Sequence, residues 1–103
     1  MRLIVGMSGA SGVIYGIRML EVLKTIAEVE THLIISNGAK LNISIETDWS
    51  VKEVEALAEV VHNDHNLAAS VSSGSFKTDG MIVLPCSMKT LSGIVTSYAD
   101  TLV

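Results

Sequence analysis

Leu3-Ile4-Val5-Gly6-Met7-Ser8-Gly9-Ala10-Ser11-Gly12 begins two residues into the chain, and Ile14, Ile17, Leu20, Leu23 and Ile26 follow it at helical spacing. An apolar run closed by glycine, a glycine-rich turn and a one-sided apolar periodicity describe a strand, a tight loop and an amphipathic helix. The glycines follow a Gly-x-x-Gly-x-x-Gly pattern. This matches neither the dinucleotide fingerprint nor the P-loop, which ends in Lys followed by Ser or Thr. Backbone amides at such a loop, backed by a helix N-terminus, suit a phosphate group. A purely structural turn would use the same glycines, so the motif alone leaves both readings open.

Outward from this stretch the pattern repeats. Leu33-Ile34-Ile35 is a second apolar run, ended by Ser36 and the turn residues Asn37-Gly38, with a helix expected through Leu41 to Ile45. Ser50 and Glu53 have the spacing of a capping box, and Val51, Val54, Leu57, Ala58 and Val61 supply one apolar helix face. His62-Asn63-Asp64-His65-Asn66 and the serine-rich residues 70–75 read as loops. Thr78-Asp79-Gly80 is a turn leading into Met81-Ile82-Val83-Leu84, a buried third strand that stops at Pro85. Ser87 to Thr90 then open another helical pattern with Leu91, Ile94 and Val95 on one side. Near-continuous apolar strands alternating with helices predict an α/β fold: a three-layer parallel sheet, here only about its first three strands, with right-handed crossovers. No repeat or linker divides residues 1–103, which read as one partial domain.

The composition narrows the function. With 49% hydrophobic and 17% charged residues the chain is globular, and a net charge of −4 argues against nucleic acid as a partner. The single cysteine, Cys86, has no internal disulfide partner, and His62, Asp64 and His65 lack a fourth metal ligand. The lone cysteine makes a reducing, cytoplasmic location the expectation, no metal site is expected, and no apolar run approaches the length of a membrane span.

Pro85-Cys86-Ser87-Met88-Lys89-Thr90 follows the third strand as the glycine loop follows the first, with hydroxyls and a lysine at a helix start. If the strand order is the flavodoxin-like 2-1-3 of this Rossmann-like class, the two loops flank the topological switch point, where FMN binds in that architecture. Ser36 lies at the same carboxyl edge. Ordinary helix capping is the competing role for Ser36, Ser87 and Thr90, and burial as a small filler is the competing role for Cys86. Glu46-Thr47-Asp48 places two carboxylates beside a loop able to reach this edge, or simply in solvent.

With these pieces in hand, the sequence resembles the UbiX-like flavin prenyltransferases, including small subunits of hydroxyarylic acid decarboxylase systems. Residues 3–12, 30–36 (Glu-Thr-His-Leu-Ile-Ile-Ser), 72–76 (Ser-Ser-Gly-Ser-Phe) and 85–91 (Pro-Cys-Ser-Met-Lys-Thr-Leu) carry the resemblance together. The resemblance implies that Gly9, Ala10, Ser11, Ser36, Ser87, Met88, Lys89 and Thr90 contact FMN. It implies that Ser11 touches the phosphate of the prenyl donor and that Glu46 is a catalytic carboxylate. It implies a reaction in which dimethylallyl phosphate alkylates reduced FMN without a metal. The prenylated FMN would serve a UbiD-like decarboxylase, and the enzyme would be a homo-oligomer. Family members run to nearly twice this length, so the carboxyl-terminal half is expected to be absent and activity alone to be in question. Two other readings share the flavin site: an FMN-dependent cysteine decarboxylase and a non-catalytic flavin-binding subunit of an aromatic acid decarboxylase.

Overall fold

The computed structural model describes residues 1–62 and 78–85. In chain order these form β1 (Arg2–Met7), α1 (Val13–Lys24), β2 (Glu30–Ile35), α2 (Asn37–Glu46), α3 (Val51–Glu55), β3 (Val60–Val61) and β4 (Gly80–Val83). All strand pairs are parallel, and the sheet order is β3-β2-β1-β4. The three strands expected from sequence are thus β2, β1 and β4 in the expected order, and the α/β open parallel sheet stands.

Alternation along the strands divides the sheet into two faces. Val5 and Met7 of β1 and Leu33 and Ile35 of β2 join Val13, Ile17, Leu20 and Leu23 of α1, Ala39 and Ile43 of α2, and Val54 of α3 in one buried core. The helices that link β1 to β2 and β2 to β3 therefore pack on one face, as right-handed crossovers travelling in one direction along a sheet require. Arg2, Ile4, Glu30 and His32 belong to the other face, where Ile4 and His32 are also buried. The described residues contribute the sheet and one helical layer, two of the expected three layers.

Four expectations change. β3 is an additional strand: Val60 pairs beside His32 and Val61 beside Leu33, so Val61 leaves the helix face to which its spacing assigned it. The helix in question ends at Glu55, and of its expected apolar face only Val54 is fully buried, with Val51, Leu57 and Ala58 half-buried against the core. Helix α1 ends at Lys24, one residue before the Thr25 cap, and Ile26 is exposed. β4 is less enclosed than its composition suggests, since Met81 is exposed and Ile82 and Val83 are half-buried.

Local chemistry explains the starts. Ser50 accepts from the Glu53 amide while the Glu53 carboxylate accepts from the Ser50 amide, completing the capping box. Ser36 caps α2 by accepting from the Ala39 amide at 3.1 Å, so Asn37 and Gly38 form the helix's first turn rather than a separate turn before it. Among the described residues no helix is long and apolar enough to cross a membrane.

Candidate functional site

Parallel pairing brings the carboxyl ends of β1, β2 and β4 to one edge of the sheet, and hydrogen bonds lash the chain segments leaving them together. The Ser36 amide donates to Met7 O at 3.0 Å and the Leu84 amide to Gly6 O at 2.9 Å. The Ser8 amide donates to Pro85 O at 3.1 Å, and Ser8 Oγ donates to the same oxygen at 2.9 Å. Ser8, 4% exposed, is thus the joint between the first and last described loops. After β1 the chain turns toward β2, whereas β4 lies on the opposite side of β1, so the switch point falls between β1 and β4.

The glycine loop spans this point. The Ala10 amide donates to Ser8 O at 2.9 Å, tightening the turn, and Gly12 is the N-cap of α1 with φ 97°, a left-handed conformation that glycine adopts without penalty. No side chain caps α1 in the usual way. Instead the loop leans on α2. A Cβ on Gly38 would lie 3.1 Å from Gly9 Cα, Asn42 Nδ2 donates to Ala10 O at 3.2 Å, and the Gly12 amide donates to Glu46 Oε1 at 3.0 Å.

Of the residues singled out from sequence, the structure therefore gathers Gly9, Ala10, Ser11, Ser36 and Glu46 at one edge. Ser11 and Gly9 are exposed, and Ser36 uses its oxygen as a helix cap. Glu46 is exposed, with its carboxylate on the amide at the start of α1. Ser87, Met88, Lys89 and Thr90 lie outside the described residues, as do Cys86, Asp64 and His65 and the serine-rich segment; Pro85, which precedes the second loop, is at the same edge. Sequence reasoning missed Ser8 and Asn42, and the only trace of the latter is the four-residue spacing of Gly38, Asn42 and Glu46 along one helix.

The chemistry available here is anion recognition by amides. A loop with two Cβ-free positions, an exposed Ser11 and the N-terminus of a 12-residue helix presents N–H groups and a partial positive charge to a ligand. These features fit the phosphate-bearing end of FMN or of a phosphorylated donor.

A scan of family models matches residues 1–103 to the family described as flavoprotein. The chain belongs to the flavoprotein family. Its sequence is 64% identical over 102 residues to a probable UbiX-like flavin prenyltransferase of Sedimentibacter hydroxybenzoicus, covering 99% of this chain and 54% of that one. Its structure resembles that of a dodecameric FMN-dependent UbiX-like decarboxylase from Escherichia coli, with TM-score 0.86 and 55% identity over 97% of this chain and 54% of the other. It also resembles AnUbiX solved in complex with FMN and dimethylallyl pyrophosphate, with TM-score 0.84 and 50% identity over 96% and 52% of the two chains. The chain spans about half the length of the relatives it matches.

Other features lie away from this edge. A cavity of about 620 Å³ opens at the amino ends of the strands, lined by Arg2, Glu28, Glu30, Glu59 and Asp79 among others. Being predominantly acidic and remote from the glycine loop, it does not suit a phosphate. On the sheet face opposite the helices, His32 Nδ1 lies 2.6 Å from His62 Nε2, the two rings stack with centroids 4.9 Å apart, and His32 Nε2 meets the Glu30 carboxylate. The hydrogen bond with His32 holds the Glu30 carboxyl below its usual pKa, and burial lowers that of His62. His62 is therefore part of a polar network rather than of a surface loop. Among the described residues no group of three or more His, Cys, Asp or Glu is arranged to hold a metal.

Proposed function

We propose that this chain is the flavin-binding part of a flavin prenyltransferase, which transfers a dimethylallyl group from dimethylallyl phosphate to reduced FMN and supplies the prenylated flavin to a UbiD-like decarboxylase. The observation that carries this reading is the amide loop of residues 8–12 at the switch point, held against α2 with Glu46 at its end. Similarity to AnUbiX in complex with FMN and dimethylallyl pyrophosphate supports FMN and a donor of the dimethylallyl phosphate type. In this reading Gly9, Ala10, Ser11 and Ser36 contact FMN, together with Ser87, Met88, Lys89 and Thr90.

FMN, once bound and reduced, supplies the nucleophilic nitrogen. The protein's part is to hold the donor's phosphate while its bond to the allylic carbon breaks, and to keep water from the carbocation-like centre that results. Ser11 Oγ and the loop amides donate hydrogen bonds to the phosphate oxygens, where negative charge grows as the bond breaks. Glu46, already at the start of α1, either steadies positive charge or accepts a proton near the flavin. The exposed Tyr15, Leu41 and Ile45 are apolar surface suited to contacts between copies in a homo-oligomer. A cytoplasmic site of action fits an acidic protein with one cysteine.

The test is anaerobic incubation with reduced FMN and dimethylallyl phosphate, with and without the carboxyl-terminal half of the Sedimentibacter relative, followed by mass spectrometry of the flavin. A dimethylallyl adduct in the completed protein is expected, and bound FMN without an adduct in either sample would refute transfer. Ser11→Ala should lower transfer about 100-fold while leaving FMN affinity within about threefold, as loss of one transition-state donor does. Equal loss of both would remove Ser11 from the transfer step.

A further inference from the structure

We propose that Asn42 is a positioning residue for the flavin site: by fixing the Ala10 carbonyl it aims the Ser11 backbone N–H outward as an anion donor. This rests on the flavin-site reading above for its ligand, but not for its geometry. Asn42 Nδ2 donates to Ala10 O at 3.2 Å across 32 residues of sequence. The peptide unit joining Ala10 to Ser11 is planar and trans, so its C=O and N–H point in opposite directions. Holding the oxygen toward α2 therefore turns the Ser11 N–H away from α2. The torsions that would turn this peptide belong to Ala10 and Ser11, and the glycines on either side, Gly9 and Gly12, let the flanking chain follow such a turn, so the Asn42 hydrogen bond is what selects one orientation.

The clamp is a stripe rather than a single bond. Gly38, Asn42 and Glu46 recur every four residues along α2 and meet the loop in order: Gly38 against the Gly9 backbone, Asn42 on the Ala10 oxygen, Glu46 on the Gly12 nitrogen. Four-residue spacing keeps the three on one helix face. Gly38 lets the backbones approach, and Glu46 secures the far end of the loop. Asn42 alone grips the middle peptide, and its half-buried side chain is placed by Ile43 next to it, which is fully buried in the core. An amide side chain suits this role: it donates to a carbonyl without adding charge beside a bound anion, as a lysine or aspartate there would.

The test compares Asn42→Ala, which removes the donor while keeping good helix propensity, with Asn42→Gln, which restores one. The first readout is the Ser11 amide resonance in an amide proton–nitrogen correlation spectrum without ligand. It should move in Asn42→Ala and return toward its original position in Asn42→Gln, while amides of β1 stay in place. The second is FMN affinity, followed by quenching of flavin fluorescence: Asn42→Ala should bind about 3- to 10-fold more weakly, the effect of one neutral hydrogen bond, and Asn42→Gln should recover most of it. The urea midpoint should be unchanged in both. A Ser11 amide that does not move overturns the inference whether or not FMN binds. A moved amide with unchanged FMN affinity overturns the role in flavin binding, and an original chain that binds no FMN overturns the flavin-site reading itself, leaving the clamp to be judged by the amide alone. Parallel loss of affinity and of urea midpoint in both variants would make Asn42 merely structural.

Discussion

Gly16 lies where α1 passes over the end of β4, and replacing it with alanine sets two opposite effects against each other. A Cβ at this position would stand 2.3 Å from Leu84 O, 3.0 Å from Met7 Cε and 3.3 Å from Met7 Cγ. The methionine side chain is flexible and yields. The Leu84 carbonyl is backbone, and its neighbours are tied down: the Leu84 amide donates to Gly6 O at 2.9 Å, and Pro85 O accepts from both the amide and the hydroxyl of Ser8. Ordinary carbon-to-oxygen contacts lie near ~3.3 Å, so helix and strand must separate by about 1 Å. Overpacking of this kind costs about 1–3 kcal/mol, whereas glycine to alanine inside a helix returns about 1 kcal/mol. Because the obstacle is backbone on both sides, the packing cost wins, and Gly16→Ala should lose about 1–2 kcal/mol. In urea, with a slope of about 1–2 kcal/mol per molar for a small protein, the unfolding midpoint falls by about 1 M. Trp49, the single tryptophan, packs half-buried against the core and reports the transition by fluorescence. A midpoint equal to or above that of the original protein would mean that helix propensity alone decides the outcome, and that α1 does not approach Leu84 as described.

Three further outcomes follow from the same structure. Leu20→Ala, at a fully buried position in the core, should cost about 2–5 kcal/mol in the same urea titration; a loss below about 1 kcal/mol would place Leu20 outside the core. Ser50→Ala removes one half of the capping box and should cost about 1 kcal/mol, whereas Ser50→Asn, another good cap, should retain most of it. Burial keeps His62 neutral by lowering its pKa below 6.5, so its contribution is complete above pH 6.5 and is lost as pH falls through the folded value. The lowered pKa of Glu30 acts in the same direction below pH 4.5. The urea midpoint should therefore drop between pH 7 and pH 5, and His62→Gln should flatten that drop; an unchanged slope would separate His62 from the acid sensitivity.

What was legible in the sequence was local. Leu3 to Val5 and Leu33 to Ile35 were readable because strands in a parallel sheet covered by helices are apolar throughout, and Ser50 with Glu53 was readable because a capping box closes within four residues. β3 was hidden because it is two residues long and Val61 continues the helical period of Val54, Leu57 and Ala58. The end of α1 was misplaced because Ile26 keeps the period, although the chain has already turned at Thr25. The site was legible as a motif but not as a device. Gly9 to Gly12 announce a loop, whereas the roles of Ser8, Asn42 and His62 depend on partners 77, 32 and 30 residues away and appear only once the sheet register is set.

Charge then decides what the loop is able to do by itself. The start of α1 offers a partial charge of about +0.5, spread over its free amides, and a phosphate group carries between one and two negative charges. The α2 residues that touch the loop are Gly38, Asn42 and Glu46, none of them cationic, and Glu46 places a carboxylate on the Gly12 amide. Amides orient a phosphate well, but a departing phosphate gains charge as it leaves, and that gain is met most strongly by fixed cations in a site closed to water. In the proposed function the loop and its α2 clamp are therefore a positioning half of the site: they would bind and align a phosphorylated flavin and depend for catalysis on positive charge brought from elsewhere, with Lys89 a candidate within this chain. It follows that FMN affinity and prenyl transfer should separate. The loop's backbone amides should govern the first while Ser11 Oγ serves the second, and adding the carboxyl-terminal half of a relative should raise the second by far more than it raises the first. If both rose by the same factor, the added half would be acting only by stabilising the fold, and the division of labour argued from charge would be wrong.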